Sequence, residues 1–143
     1  MQEHFDRLKN MYLKAPINKL MRPSIDISES AAVIEMKVDP NYFHGGKSLH
    51  GSIYFKMLDD SSFFAAQSIV SDFFVVTSNF NIYFFRPIVE DYLIAKGSVI
   101  SRSKNIVTAE SKLFNSAGKI CASGSGAFVK SSLALKDADG YLT

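Results

Sequence analysis

The stretch SLHGSIYFKMLDDSSFFAAQSIV, residues 48–70, restricts the fold more than any other part of the chain. From about Gly51 to Val70 it places Ile53, Tyr54, Phe55, Met57, Leu58, Phe63, Phe64 and Ile69 so that apolar groups occupy nearly every side of a helix. Such a helix has to be enclosed by other structure. Two adjacent acids, Asp59 and Asp60, nevertheless stand in its middle, where leaving water is costly for a carboxylate.

The flanking segments supply the enclosure. Residues 3–13 put Phe5, Leu8 and Tyr12 on one face of a short helix, with Met11 beside them, and Pro16 breaks it. INKLM adds a further turn, so residues 1–22 read as an N-terminal helical segment. SIDISES and AAVIEMKVD alternate apolar and polar residues around Glu29-Ser30, which predicts two strands joined by a tight turn. Asp39-Pro40-Asn41 and Gly45-Gly46 mark an irregular connection into the helix. Four strand-like segments follow, at about 73–86, 91–103, 105–115 and 119–130. The tail 131–143 has no strong pattern, and it either docks or frays. A strongly curved antiparallel sheet wrapped round one buried helix accommodates this order, an α+β architecture in one domain, 1–143.

Composition removes several function classes. Lys and Arg are scattered and the net charge is +2, so the footprint of a nucleic-acid binder is missing. One cysteine, Cys121, excludes a disulfide framework and a Cys-rich zinc site, and no metal site is expected. MQEHFDRLKN lacks the apolar core of a signal peptide, and Lys56, Asp59 and Asp60 interrupt the longest apolar run, so neither leader nor membrane span is expected. A cytoplasmic location is the resulting expectation.

A helix N-terminus offers unpaired N–H groups and partial positive charge, and glycine lets another group approach the backbone closely. The Gly51 N–H can therefore polarise a carbonyl and hold an oxyanion, or Gly51 is merely a tight helix entry. Asp59 can serve as general base or as nucleophile, or it is a solvated acid or the partner of Lys56 in a structural ion pair. The two acids point about 100° apart around the helix. Asp59 shares its face with Ser52, Phe55, Lys56, Ser62 and Phe63, a polar site with apolar walls; Asp60 is expected to face solvent, a strand end or a partner subunit. Gly51 and Asp59 lie about 12 Å apart along the axis, too far to serve one carbon from one chain. If both act in one reaction, they come from two chains about a twofold axis.

The pattern His-Gly-small-x4-Leu-x-Asp, matched by His50, Gly51, Ser52, Met57 in the Leu position and Asp59, resembles the signature of hotdog-fold acyl-CoA thioesterases of the phenylacetate-degradation type. TSNFNIYFFRP resembles that family's aromatic strand ending in Pro, with Thr77 at its polar position. The resemblance covers about 24–130. It implies a hotdog fold, dimers or dimers of dimers with sites shared at the interface, and hydrolysis of an acyl-CoA. Coenzyme A enters only as part of the substrate, with no cofactor. Two positions depart from the pattern. His44 stands where relatives often carry Asn, and Ser52 replaces the second glycine of His-Gly-Gly.

The expected catalytic set is therefore Asp59, Gly51, Thr77, His44 and His50. His50 is given the lesser role, as a helix-mouth residue. Thr77 either orients the attacking water or is an ordinary strand residue, assigned here to the polar face with Asn79, Asn81 and Tyr83. Ser52, Phe55, Ser62 and Phe63 are expected around the substrate, with Arg102 and Lys104 as candidate cations for its nucleotide. The rival expectation is a hotdog dimer that binds an acyl ligand without turnover, as sensor or adaptor.

Overall fold

Helix α1 (Gln2–Lys14) buries Phe5, Leu8, Met11 and Tyr12, the stripe its spacing dictates. Ala15 takes an extended conformation because the following proline disfavours helical geometry there, and Pro16 then opens α2 (Pro16–Met21) at a first-turn position suited to it. The structure is a computed structural model and describes residues 1–89 and 91–143. Strands β1 (Ser24–Ser28) and β2 (Ala31–Lys37) form the expected hairpin, with Ile25, Ile27, Ala32, Ile34 and Met36 buried on one face.

After an irregular connection comes α3 (Gly51–Gln67), which ends three residues earlier than its apolar run. Buried Gln67 sets that end. Its Nε2 donates to the Val70 and Phe73 carbonyls at 2.8 and 2.9 Å, and its Oε1 accepts the Val75 N–H at 2.9 Å. Strands β3 (Phe73–Phe84), β4 (Tyr92–Arg102), β5 (Ile106–Asn115) and β6 (Ile120–Ala134) complete one six-stranded sheet in the order β1-β2-β4-β5-β6-β3. Every pairing is antiparallel, and the sheet curves around α3 as a hotdog fold does. Gly97 of β4 lets helix and sheet approach closely: a Cβ there would lie 2.2 Å from the Ser61 carbonyl oxygen.

Two departures from the sequence reading matter for the site. Thr77 pairs with Phe128 but Asn79 with Ala127, so Ser78 is an extra residue, a β-bulge. The bulge reverses the alternation of β3. Val75 and Thr77 face inward before it, and Phe80 and Ile82 after it, so Thr77 does not share the face of Asn79, Asn81 and Tyr83. The tail also carries more order than its sequence suggests. β6 runs on to Ala134, a 3-10 turn follows over Leu135–Asp137, and Leu135, Ala138 and Tyr141 are buried. The tail docks on α1, where Asn10 Nδ2 donates to the Gly140 carbonyl at 2.6 Å and the Tyr141 hydroxyl lies 2.8 Å from His4 Nδ1.

Candidate active site

The mouth of α3 is built by His50. Its backbone is extended, and its Nδ1 accepts the Ser52 N–H at 3.0 Å, capping the helix. The Ser52 hydroxyl lies 2.8 Å from the same nitrogen, so both side chains are engaged with each other rather than with an open space. Gly51, the first helical residue, has one of the first-turn N–H groups for which a helix holds no carbonyl. It borders a cavity of about 450 Å³ together with His44, Tyr54, Phe84 and Arg86. His44 is exposed. Its Nδ1 accepts the Gly46 N–H at 2.9 Å, and its Nε2 lies 3.2 Å from the Ser48 hydroxyl.

Two turns further along α3, Asp59 and Asp60 both border a larger cavity of about 830 Å³, with apolar walls from Phe63, Phe64, Phe74 and Val76. The inward-turned Thr77 donates its hydroxyl to Asp59 Oδ1 at 2.8 Å. Burial pushes the Asp59 carboxyl up to about 6. The Thr77 hydrogen bond opposes the rise, the negative charge of Asp60 adds to it, and the Lys56 cation opposes it. At neutral pH such a group is ionised yet basic enough to take a proton, the condition for general-base work.

Asp60 is not a solvent-facing acid. It accepts the Tyr12 hydroxyl at 2.8 Å and pairs with Lys56 one turn back on α3. The ion pair with Lys56 considered for Asp59 thus belongs to its neighbour, which leaves Asp59 bordering the cavity with Thr77 as its hydrogen-bond donor. Burial and the Asp60 charge both push the Tyr12 phenol up, so it stays a donor.

The expected substrate residues divide. Phe63 lines the larger cavity. Phe55 is half exposed on α3, its ring 5.7 Å from that of Phe80, and borders neither cavity. Ser62 is fully buried with an unpartnered hydroxyl, because α3 meets the Gly97 backbone at this turn, and it borders neither cavity. Arg102 and Lys104 are exposed at the β4–β5 turn, away from both. The cations beside the cavities are Lys14, Lys19 and Lys56 at the larger and Arg86 at the smaller. Sequence reasoning missed Tyr12; only the 56–60 spacing of a helical ion pair hinted at the network it joins. Among the described residues no cluster of three or more His, Cys, Asp or Glu could hold a metal, and Cys121 is buried with its thiol pushed up by that burial.

Comparison with known proteins gives a family and a fold. The sequence profile of the thioesterase superfamily matches residues 46–122. No curated protein sequence matches the chain significantly. The PaaI protein of the E. coli phenylacetic acid degradation operon superposes with a TM-score of 0.84 at 24% identity, covering 93% of this chain and 96% of its own. A thioesterase from Haemophilus influenzae gives 0.76 at 17%, covering 87% and 88%. A point mutant of the phenylacetic acid degradation protein PaaI from Thermus thermophilus gives 0.74 at 16%, covering 82% and 100%.

Proposed function

From the premise that this chain belongs to the thioesterase superfamily, we propose that it hydrolyses an acyl-CoA thioester with Asp59 as the acting carboxylate. The observation that carries this reading is Asp59 itself: an acid on a cavity wall, aimed by Thr77 and raised to about 6 by burial. In the general-base route Asp59 takes a proton from water as the water oxygen attacks the thioester carbon. The carbonyl oxygen becomes an oxyanion held at a Gly51 N–H. Collapse of the adduct breaks the C–S bond, and the thiolate leaves with a proton to give free coenzyme A and a carboxylic acid. In the nucleophilic route Asp59 attacks the same carbon, the C–S bond breaks and the thiolate leaves with a proton as coenzyme A, and water then hydrolyses the resulting anhydride to the carboxylic acid and free Asp59. Neither route calls for a metal or redox cofactor.

Gly51 and Asp59 border different cavities of one chain, so the reaction needs a second copy. The β3 edge supports such pairing. It is an open sheet edge, and Val76, Tyr83, Phe84 and Phe85 beside it are exposed, apolar surface suited to burial in a dimer. Each site would then join Asp59 and Thr77 of one protomer to Gly51 and His44 of the other. Among the described residues no helix is long and apolar enough to cross a membrane, and a cytoplasmic dimer or dimer of dimers is the proposed working form.

One observation favours a second reading. Both His44 ring nitrogens are occupied within their own loop, so His44 is not free to hold a carbonyl or a water, which suits a dimer that binds acyl ligands without turnover. Release of free thiol from a panel of acyl-CoAs decides between the two. Turnover that falls by about 100-fold or more in Asp59→Asn, and far less in Asp60→Asn, supports the enzyme. Tight binding without thiol release supports the sensor.

A further inference from the structure

Tyr12, Lys56 and Asp60 take no part in the steps above, yet they converge beside the residue that does. The Tyr12 hydroxyl donates to Asp60 Oδ2 at 2.8 Å, Lys56 pairs with the same oxygen, and the Lys56 ammonium also lies 5.2 Å from the centre of the Tyr12 ring. The Lys56 and Asp60 side chains are only 14% and 19% exposed, so this is a largely sheltered cluster rather than a solvated surface pair. Tyr12 belongs to α1, outside the residues 46–122 that the superfamily profile matches. The N-terminal helix is therefore tied to α3 at the one turn that carries the acting carboxylate.

We propose that Tyr12, Lys56 and Asp60 form a positioning unit for Asp59: a hydroxyl, a cation and an anion that dock the N-terminal helix on α3 and fix the charges beside which Asp59 works. The unit is poised between two opposed influences. An anion one residue away makes Asp59 hold its proton more tightly, and a cation one turn away makes it release the proton more readily. Held at fixed distances by Tyr12, the two keep Asp59 near the middle of its working range.

The other titratable groups around the cavity are less sheltered from water. Lys14 of α1 is bonded to the Thr143 carbonyl at 2.7 Å. Lys19 of α2 is exposed, where solvent screens it, and Asp139 of the tail lines the cavity beside Gly140. From β3 the cavity receives Phe74, Val76 and Thr77, none of which titrates in this range. The inference rests on the reading of Asp59 as the acting carboxylate, but its test does not need turnover.

The experiment is a pH titration of the Asp59 side-chain carboxyl carbon by NMR in the full chain, with Asp59→Asn used to assign the signal. Asp60→Asn should lower the midpoint and Lys56→Gln should raise it, each by about half a pH unit or more. The double variant Lys56→Gln/Asp60→Asn should return close to the parent, and Lys56→Arg, which keeps the charge, should stay there. Tyr12→Phe should shift the midpoint in the direction of Asp60→Asn, by less. A variant whose circular dichroism departs from the parent is replaced by Asp60→Ser or Lys56→Met. Smaller shifts, or shifts of the same sign from Lys56→Gln and Asp60→Asn, overturn the proposal and leave a merely structural cluster. Absence of thiol release from the parent would instead defeat the enzymatic reading, while the midpoints still decide this one.

Discussion

Thr77 reaches Asp59, donating across 2.8 Å, because one extra residue in β3, Ser78, turns the Thr77 side chain inward. In an unbroken strand Thr77 would share the outward face of Asn79. The bulge thus supplies the Asp59 carboxylate with its side-chain hydrogen-bond donor, and it does so by a change of register rather than by a change of residue.

Thr77→Val keeps the shape of the side chain and removes that bond. Since the bond holds the Asp59 carboxyl down against burial, its loss should raise the group above about 6. The acidic limb of the pH–rate profile should move upward by roughly one unit, with turnover at about pH 6 falling more than turnover at about pH 8. An unmoved limb in a folded variant would show that Thr77 does not act on Asp59.

Asp59 should also limit stability. Its carboxyl titrates at 3.8 in an unexceptional setting and at about 6 in the folded chain. Below 3.8 both states hold the proton and there is no difference. As pH rises from 3.8 toward 6 the unfolded chain loses its proton first, so stability falls, and above 6 the whole deficit is present. Discounted for the solvent that reaches this partly exposed group, the deficit is about 1–2 kcal/mol. Asp59→Asn should accordingly outlast the parent in urea at about pH 7.5 and match it near about pH 3.5. Equal urea midpoints at both pH values would contradict the raised carboxyl.

Sharing of sites between protomers can be tested by mixing. An Asp59→Asn chain and a Gly51→Pro chain should each be inactive as homodimers. In their heterodimer one site carries both lesions and the other neither, so activity should return toward one intact site per dimer. Proline is tolerated at this first helical position, and the nearest groups to a Cβ there are Phe84 ring carbons at 3.4 Å. Heterodimers that form, as mass spectrometry would show, and stay inactive would refute the shared site.

Gly97→Val should be severe for a different reason. The added Cβ would meet the Ser61 carbonyl oxygen at 2.2 Å, and neither backbone can yield without separating α3 from β4. A loss of about 3 kcal/mol or more is expected in chemical unfolding, with any remaining folded protein showing disturbed α3 amide signals.

Much of this is readable from the residues alone. The alternation of Ala32, Ile34 and Met36 implies β2 and its buried face, and the all-round apolar run after Gly51 implies a helix wrapped by a sheet. The spacing of Gly51 and Asp59 implies two chains if both act, and the structure places these residues on separate cavities. What escapes depends on contacts between distant segments. Ser78 is an ordinary strand residue, and nothing in its type announces that the strand gains a residue there. Ser62 lies on the same helical stripe as Asp59 in projection, but helix position does not reveal which turn the Gly97 backbone will press upon. Asp60 reads as facing solvent, a strand end or a partner subunit because Tyr12, which it meets, lies 48 positions away. In the tail, the spacing of Leu135, Ala138 and Tyr141 becomes meaningful only when the rest of the core is there to receive them.

The docking of the tail on α1 has a consequence for synthesis. His4 and Tyr141 touch across 137 positions of chain, and Asn10 meets Gly140 across 130. Helix α1 therefore leaves the ribosome long before the tail that docks on it exists. The contacts α1 makes with β1 and α3 can form earlier, while its contacts with the tail, this distant in sequence, form slowly. The wall that Ala138, Asp139 and Gly140 lend to the larger cavity is thus among the last parts of the molecule to be set. A nascent chain stalled before Ala138 would lack these contacts and the Ala138–Gly140 side of the larger cavity, with α1 already able to pack on β1 and α3.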